Sequence, residues 1–312
     1  MKLLKKKTYK KYLFLPYPDP KNMMEHEEGK ENKVQTAEKF IDLDDLIRTK
    51  NPRLLKAIPR FIIRYLKRVI HQDEVNAAIS RNKDLFGVDF IAKILEEFKA
   101  NIVIINPENM PQKGRYIIAS NHPLGGMDGM ALLLVVGQVR KDIIFPVNDL
   151  LMNLPNLKCL FIPINKHGRN TENAKIFEET FASEQMILYF PAGLCSRQKK
   201  GFIKDLEWKK TFVGKAKQYK RDVIPVHVDG RNSKFFYRLA NLRKFLGIKA
   251  NLEMLYLVDE MYKQRDKKIC ITFGKTIPYS TFDKRFNDKE WAAKVKDHVY
   301  GLSINKDKVF KY

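Results

Sequence analysis

The sequence alternates short β-rich runs with helical patterns from about residue 100 onward, and this alternation constrains the fold more than any other feature. Seven runs rich in β-branched and aromatic residues predict strands, at Ile102–Ile105, Tyr116–Ser120, Ile143–Val147, Cys159–Pro163, Met186–Phe190, Val223–Val228 and Ile269–Phe273. Helical patterns lie near 129–139, 171–184, 207–220, 232–246 and 287–302. The alternation predicts an α/β sheet covered by helices, with its chemistry in loops at strand ends.

The first hundred residues have a different character. Residues 1–40 begin with a basic stretch and continue into a polar segment, which predicts a basic tail and linker. The short apolar run in the tail stops at Pro16 without small residues suited to cleavage, so it does not match a signal peptide. Residues 41–99 show helical patterns, so we expect a helical extension that precedes a catalytic domain at 100–312.

One segment of this extension, 52–70, has the pattern of a basic amphipathic helix that Pro59 can interrupt. Its cations lie mostly between apolar residues that recur every three or four positions. Such a helix can lie in a bilayer interface among anionic headgroups, or it can pack on the catalytic domain with its charges in water. The pattern favours neither alternative. The apolar residues are Leu54, Leu55, Ile58, Phe61, Ile62, Tyr65, Leu66 and Ile70.

The chain carries 59 Lys and Arg against 36 Asp and Glu, a formal net charge of +23. Such a surplus attracts polyanions, which include anionic lipids, nucleic acids, an acidic carrier protein and coenzyme phosphates. The three cysteines form no CxxC pair, which argues against a disulfide framework or a zinc site and fits a reducing compartment. No run reaches about 18 consecutive apolar residues, so we expect any membrane contact to be peripheral.

The strongest chemical signal follows the predicted strand Tyr116–Ser120. His122 lies in a strand-to-helix loop, and Asp128 follows just downstream. Activation of a hydroxyl requires such an imidazole, oriented by a carboxylate that also stabilises the imidazolium. Gly125 and Gly126 let the loop fold back, so that the carboxylate can reach the ring. Alternatively, Asp128 is the N-cap of the following helix and His122 is a hydrogen-bonded loop residue.

Three further loops follow predicted strands and carry basic or small residues. In chain order they contain Lys166 and Arg169, then Gly193, Ser196 and Arg197, then Arg231. An arginine in such a loop suits an anionic group, which it can hold by two parallel hydrogen bonds. A second interpretation makes Cys195 a nucleophile, but no recognised Cys–His spacing supports it. The sequence contains no GxSxG elbow, which argues against an ordinary serine hydrolase.

These four segments, in this order, resemble the motif blocks of the glycerolipid acyltransferase superfamily, which includes the 1-acylglycerol-3-phosphate acyltransferases. The resemblance covers about residues 100–235. More narrowly, NHPLGG with DG, FPAG and the later DGRNS are similar to a bacterial hemolysin-like subgroup associated with acylation of amino-acid lipids, such as ornithine or glycine lipids. The resemblance implies an α/β fold with a mixed central sheet flanked by helices, and an acyltransferase domain at 100–312.

Carried over residue by residue, the resemblance assigns His122 as general base and Asp128 as its partner. It implies no bound cofactor and no metal, with acyl-CoA or an acyl carrier protein thioester as the donor substrate. Pro225 matches the fourth block. The residues expected around the acceptor are Asn121, Gly125, Gly126, Lys166, Arg169, Gly193, Ser196, Arg197 and Arg231.

The sequence also departs from the family pattern. Five residues separate His122 from Asp128 where the family has four. The third-block Glu is Ala192 and its first Arg is Cys195, while Ile164 stands where the second block has Arg. In the family these positions help bind glycerol phosphate. Their loss favours an acceptor with a single carboxylate, held by the remaining cations, over lysophosphatidic acid.

We therefore predict an acyltransferase in the cytoplasm that acts at the inner face of the cytoplasmic membrane. Its acceptor is a lyso-lipid, either an amino-acid lipid or a lysophospholipid, and the acyl group goes to a hydroxyl or an amine. Anionic lipids and an acidic acyl carrier protein are the expected partners. One alternative is a catalytically idle lipid-binding relative, which the longer His-to-Asp spacing permits. A hydrogen bond between His122 and Asp128 would argue against that alternative. The other is a nucleic-acid-binding protein, but the sequence lacks any recognised nucleic-acid motif.

Overall fold

A computed structural model describes residues 40–148, 151–164 and 171–312, so the predicted tail and linker lie almost wholly outside the described residues. The helices of the N-terminal part are α1 (Leu43–Lys50), α2 (Pro52–Ala57), α3 (Arg60–Val69), α4 (Gln72–Arg81) and α5 (Gly87–Glu97). The later helices are α6 (Gly126–Gly137), α7 (Thr171–Ala182), α8 (Thr211–Tyr219), α9 (Lys234–Phe245), α10 (Leu257–Tyr262) and α11 (Asp288–Gly301). The first five strands are β1 (Asn101–Ile105), β2 (Tyr116–Ser120), β3 (Ile143–Val147), β4 (Phe161–Pro163) and β5 (Met186–Tyr189). The others are β6 (Arg197–Lys199), β7 (Phe202–Lys204), β8 (Asp222–Asp229) and β9 (Lys268–Phe273).

Seven strands form one sheet in the order β1-β9-β8-β2-β5-β3-β4, and β6 pairs with β7 in a separate antiparallel hairpin. Neighbours in the sheet are parallel except β8 and β9. The prediction of a mixed central sheet is therefore confirmed. Each of the seven predicted strands is present within two residues of its predicted limits. Strand β4 starts later than predicted because a 3-10 turn occupies Pro155–Leu160.

Helices cover both faces of the sheet, as the strand sequences require. Successive residues of a strand point to opposite faces. Ile118 of β2 accordingly packs in a cluster with residues of α5 and α6, whereas Ile117 and Ala119 pack with residues of α8 and α11. Burial on both faces is typical of parallel strands and explains why these runs are continuously apolar.

Helix α5 attaches the N-terminal helices to the sheet. Phe90, Ile91 and Ile94 are buried in the same cluster as the strands. The helix also lies very close to α6, because a Cβ built on Gly137 would meet Cγ2 of Val88 at 2.4 Å. The helical extension is thus continuous with the main core at its C-terminal end.

The predicted amphipathic segment is helical, and Pro59 separates α2 from α3. Ile63 and Val69 of α3 are buried, whereas Phe61 is 66% exposed and Tyr65 48%. The helix therefore packs on the protein by one edge and leaves a second apolar edge uncovered. Among the described residues, no helix is long and apolar enough to cross a bilayer.

Candidate active site

Three of the motif loops meet at one edge of the sheet. Strands β8, β2 and β5 are adjacent and parallel, so their carboxyl ends lie together. The Ser196 N–H donates to the His122 carbonyl at 2.8 Å, which joins the loop after β5 to the loop after β2. The Asn121 amide donates to the Val228 carbonyl and accepts from its N–H, at 2.8 and 2.7 Å. Asn121, expected at the acceptor, thus fastens β2 to β8.

His122 and Asp128 form the hydrogen bond that the functional interpretation requires. His122 Nδ1 lies 2.9 Å from Asp128 Oδ1, and Asp128 Oδ2 accepts from the Leu124 N–H at 2.7 Å. The Asp128 side chain is fully buried, whereas that of His122 is 17% exposed. Helix α6 begins at Gly126 with Gly125 as its N-cap, so Asp128 lies in the first turn and is not the N-cap.

The turn at Gly125 accommodates the extra residue between His122 and Asp128. Gly125 has φ +75°, a conformation that side chains disfavour, and a Cβ there would lie 3.1 Å from Leu257 and 3.2 Å from Cys195. A Cβ on Gly126 would make only an ordinary contact, 3.6 Å from the sulfur of Met261. Glycine is therefore required at the first of these two positions and not at the second.

The environment of His122 favours its protonated form. Phe190 stacks on the imidazole with ring centroids 4.1 Å apart. Burial lowers the pKa of His122, but the charge and hydrogen bond of Asp128, together with the Cys195 side chain, raise it well above its ordinary value of 6.5. Because Asp128 holds Nδ1, Nε2 is the nitrogen that can take a proton from a substrate.

Asp205 supports this loop and was missed by the sequence analysis. Its Oδ1 accepts from the His122 N–H at 3.2 Å and from the Ser196 hydroxyl at 2.6 Å, and its Oδ2 accepts from Trp208 at 2.8 Å. Ser196 was expected at the acceptor, but its hydroxyl is buried on this carboxylate.

Arg197, which was expected at the acceptor, forms an ion pair with a buried carboxylate. Its guanidinium donates to Glu253 at 2.7 Å and to the Cys195 carbonyl at 2.6 Å. Glu253 is fully buried and also accepts from Arg243 at 2.8 Å. Removing one member of a buried ion pair leaves the other charge buried without a partner, which destabilises the fold. Moving Arg197 away from Glu253 would therefore be unfavourable. The assignment of Arg197 to the acceptor stays a prediction, and the ion pair with Glu253 weighs against it.

Cys195 contacts the imidazole, a proximity that the sequence spacing gave no reason to expect. The Cys195 side chain has no exposed surface. A bulky acyl thioester therefore cannot reach the sulfur in this arrangement, while it can reach the exposed edge of His122. The geometry favours direct transfer over a covalent acyl-cysteine.

A cavity of about 930 Å³ opens beside the His122 loop, and Asn121, Pro123, Ser196 and Arg231 contribute to its wall. Of the predicted cations that the structure describes, Arg231 lines this cavity and Arg197 does not. Lys166 and Arg169 lie outside the described residues. Gly193 lies in the turn after β5 with φ +66°.

A second imidazole, His227, also lines the cavity. Burial, with the charge of Lys306, lowers the pKa of His227 to about 4. Its Nδ1 has no hydrogen-bond partner among the residues that the structure describes. His227 thus lacks the carboxylate partner that orients and charges His122, which makes His122 the better candidate for a base.

Comparisons with known proteins agree with this chemistry. A family model described as acyltransferase matches residues 45–307. The chain is 51% identical over 265 residues to the lyso-glycine lipid O-acyltransferase of Bacteroides thetaiotaomicron, covering 84% of this chain and 97% of the relative. It is 50% identical over 265 residues to the lyso-glycine lipid O-acyltransferase of Phocaeicola vulgatus, covering 84% and 95%. The crystal structure of the 1-acyl-sn-glycerophosphate (LPA) acyltransferase PlsC from Thermotoga maritima covers 85% of this chain and 95% of its own, at 16% identity and a TM-score of 0.44, too low to add to the argument.

Proposed function

Because the chain belongs to the acyltransferase family, we propose that it transfers a fatty acyl group from a thioester to the hydroxyl of a lyso-glycine lipid. The resemblance to glycerolipid acyltransferases is confirmed, and the chain is an acyltransferase that uses a lyso-lipid acceptor. The observation that most supports His122 as base is its 2.9 Å contact with the buried Asp128. The same contact argues against the catalytically idle alternative.

The proposed reaction is a direct transfer. His122 Nε2 takes the proton from the acceptor hydroxyl as its oxygen attacks the thioester carbonyl, and Asp128 stabilises the imidazolium. Collapse of the tetrahedral intermediate breaks the carbon–sulfur bond. The imidazolium returns its proton to the departing thiolate, so the products are an ester and a free thiol.

The acceptor assignment rests on both relatives, which are named for lyso-glycine lipid. The sequence supports it independently, because the Glu and Arg that the family uses for glycerol phosphate are replaced by Ala192 and Cys195. Arg197 is also occupied by Glu253 and cannot substitute for them. The donor is proposed to be acyl-CoA or acyl carrier protein, since a +23 chain attracts the phosphates of the first and the acidic surface of the second.

We place the reaction at the inner surface of the cytoplasmic membrane. Phe61 and Tyr65 expose their rings on α3, and the Tyr65 hydroxyl lies 2.9 Å from that of Tyr256. The neighbouring segment 242–255 exposes further apolar side chains, with Phe245 86% exposed. Exposed apolar surface of this kind beside Arg and Lys residues is suited to the interface of an anionic bilayer.

An assay with purified protein, one acyl thioester and lyso-glycine lipid tests the proposal. We expect ester formation, slower transfer to lysophosphatidic acid, and a loss of about 10²- to 10⁴-fold in kcat/KM for His122→Ala. Circular dichroism and a thermal melt show whether the variant is folded. Undiminished turnover by folded His122→Ala would exclude His122 as the base, and faster turnover of lysophosphatidic acid would overturn the acceptor assignment.

A further inference from the structure

A smaller cavity of about 510 Å³ adjoins the larger one where β8 leads into α9. Arg231, Gln264 and Lys267 line both cavities, so the two cavities adjoin at these residues. The turn before Arg231 packs directly on that loop, because a Cβ on Gly230 would meet Leu124 at 2.8 Å. The smaller cavity is therefore close enough to the base to hold another part of the same substrate.

The smaller cavity is positively charged. The Lys263 ammonium is paired with Glu260 at 2.9 Å, and Glu260 also accepts from the Ser233 hydroxyl at 2.6 Å. This internal pairing leaves three cations that line the cavity without an ion pair among the described residues. They are Arg231, Lys234 and Lys267. An anion in the cavity would meet a net positive environment.

Asn232 also lines this cavity and has an unusual environment. The residue is 4% exposed, and neither its side-chain oxygen nor its nitrogen has a hydrogen-bond partner within the described part of the chain. Leaving a buried amide unpaired destabilises a fold unless a ligand or water pairs with it. The amide offers an acceptor oxygen and an NH2 group with two donor hydrogens at the wall of a cationic cavity.

We propose that the smaller cavity binds the amino-acid headgroup of the acceptor as an amide-linked carboxylate, an assignment that rests on the proposed function. Glycine has no hydroxyl, so a glycine lipid that is acylated on oxygen carries that hydroxyl on its lipid chain. A glycine joined to the chain through nitrogen then presents an amide and a free carboxylate. Asn232 pairs with the amide, and Arg231 holds the carboxylate. A headgroup with a free ammonium is repelled.

The surroundings of the cavity fit a lipid headgroup. Lys234 lines the cavity, and the next residue, Phe235, belongs to the exposed apolar surface near Tyr256, with ring centroids 5.0 Å apart. A headgroup can therefore enter from the membrane side while its chain stays in the bilayer. The competing occupant is the acyl donor, because coenzyme A and a carrier's prosthetic group also combine amides with phosphate.

Two variants and one control separate these occupants. Arg231→Gln removes the cation, and Asn232→Leu removes the amide at similar volume. The control Arg238→Gln removes a positive charge from the following helix, α9, outside both cavities. Each is assayed with acyl-CoA and, in parallel, with an acyl carrier protein thioester as donor. The two acceptors are a hydroxyacyl-glycine and the corresponding glycinamide, which lacks the carboxylate. Steady-state rates give KM separately for the donor and for each acceptor.

We expect the kcat/KM of the wild type to be about tenfold or more higher for the hydroxyacyl-glycine than for the glycinamide. Arg231→Gln should abolish this preference by raising the KM for the hydroxyacyl-glycine. Asn232→Leu should raise KM for both acceptors and keep or increase the melting temperature, since it removes an unpaired amide. The donor KM and the Arg238→Gln variant should be unchanged. An increase in donor KM alone, or no change in either KM, overturns the headgroup assignment. Wild type that acylates neither acceptor with either donor contradicts the proposed function itself.

Discussion

Asp128 sets both the orientation and the basicity of His122. Replacing it with Asn keeps the shape but removes the charge that raises the pKa of His122, so we expect kcat/KM to fall roughly 10- to 1,000-fold. In the wild type the rate should rise with pH through a midpoint above 6.5, because the imidazole acts as a base only when neutral. In Asp128→Asn this midpoint should move to lower pH. A pH profile of kcat/KM measures both effects, and an unmoved midpoint would show that another group titrates.

Cys195 tests whether the reaction passes through a covalent intermediate. Its thiol is buried against His122, so we expect Cys195→Ala to retain activity within about threefold of wild type, as direct transfer requires. Mass spectrometry of wild type quenched during turnover should find no acyl group on the protein. A loss beyond a hundredfold in the folded variant, together with acylated Cys195 in the wild type, would replace direct transfer with a two-step mechanism.

The close approach of α5 and α6 depends on the absence of a side chain at Gly137. Alanine is the better helix former by about 1 kcal/mol, but its Cβ would lie 2.4 Å from Val88, and overpacking costs about 1 to 3 kcal/mol. We therefore expect Gly137→Ala to lower the free energy of unfolding in chemical denaturation. Adding Val88→Ala makes room and should recover part of the loss, whereas equal losses in the single and double variants would exclude the contact as the cause.

The two edges of α3 should separate membrane binding from stability. Phe61→Gln exposes no core and should weaken sedimentation with anionic vesicles without lowering the melting temperature. Ile63→Ala, two residues away on the buried edge, should cost about 2 kcal/mol or more of stability and leave vesicle binding intact. If folded Ile63→Ala binds vesicles more weakly and Phe61→Gln does not, the edge of α3 that contains Ile63 faces the membrane instead.

The sequence predicted elements that carry their own periodicity and missed those that depend on distant partners. The seven sheet strands lie in apolar runs, whereas β6 (RQK) has no apolar residue and β7 (FIK) has two followed by a lysine. The ion pair of Arg197 could not be predicted because its buried partner, Glu253, lies 56 residues further along the chain. Asp205 was missed for a similar reason, since it lies 83 residues from His122. No local pattern encodes such pairs.

The whole molecule combines a large positive charge with an apolar surface that the fold leaves uncovered. The charge of +23 attracts an anionic bilayer, and salt shortens the range of this attraction. The screening length falls from about 10 Å at 0.1 M salt to about 3 Å at 1 M. The apolar side chains of α3 and of 242–255 act only on contact, and salt does not screen them. The two contributions can therefore be separated by ionic strength.

We expect binding to vesicles with anionic lipid to weaken steeply between about 0.05 and 0.5 M salt and then level off at a residual value, because the screened charges leave the apolar contact behind. Neutral vesicles should show that residual binding at every salt concentration. Combining Phe61→Gln with Phe245→Gln should remove the residual binding at high salt and preserve the salt-dependent binding, since both rings are exposed and neither is charged. Sedimentation with the two vesicle types measures all three quantities. Equal binding to both types, unaffected by salt, would contradict the electrostatic contribution and leave the +23 charge to serve the donor alone.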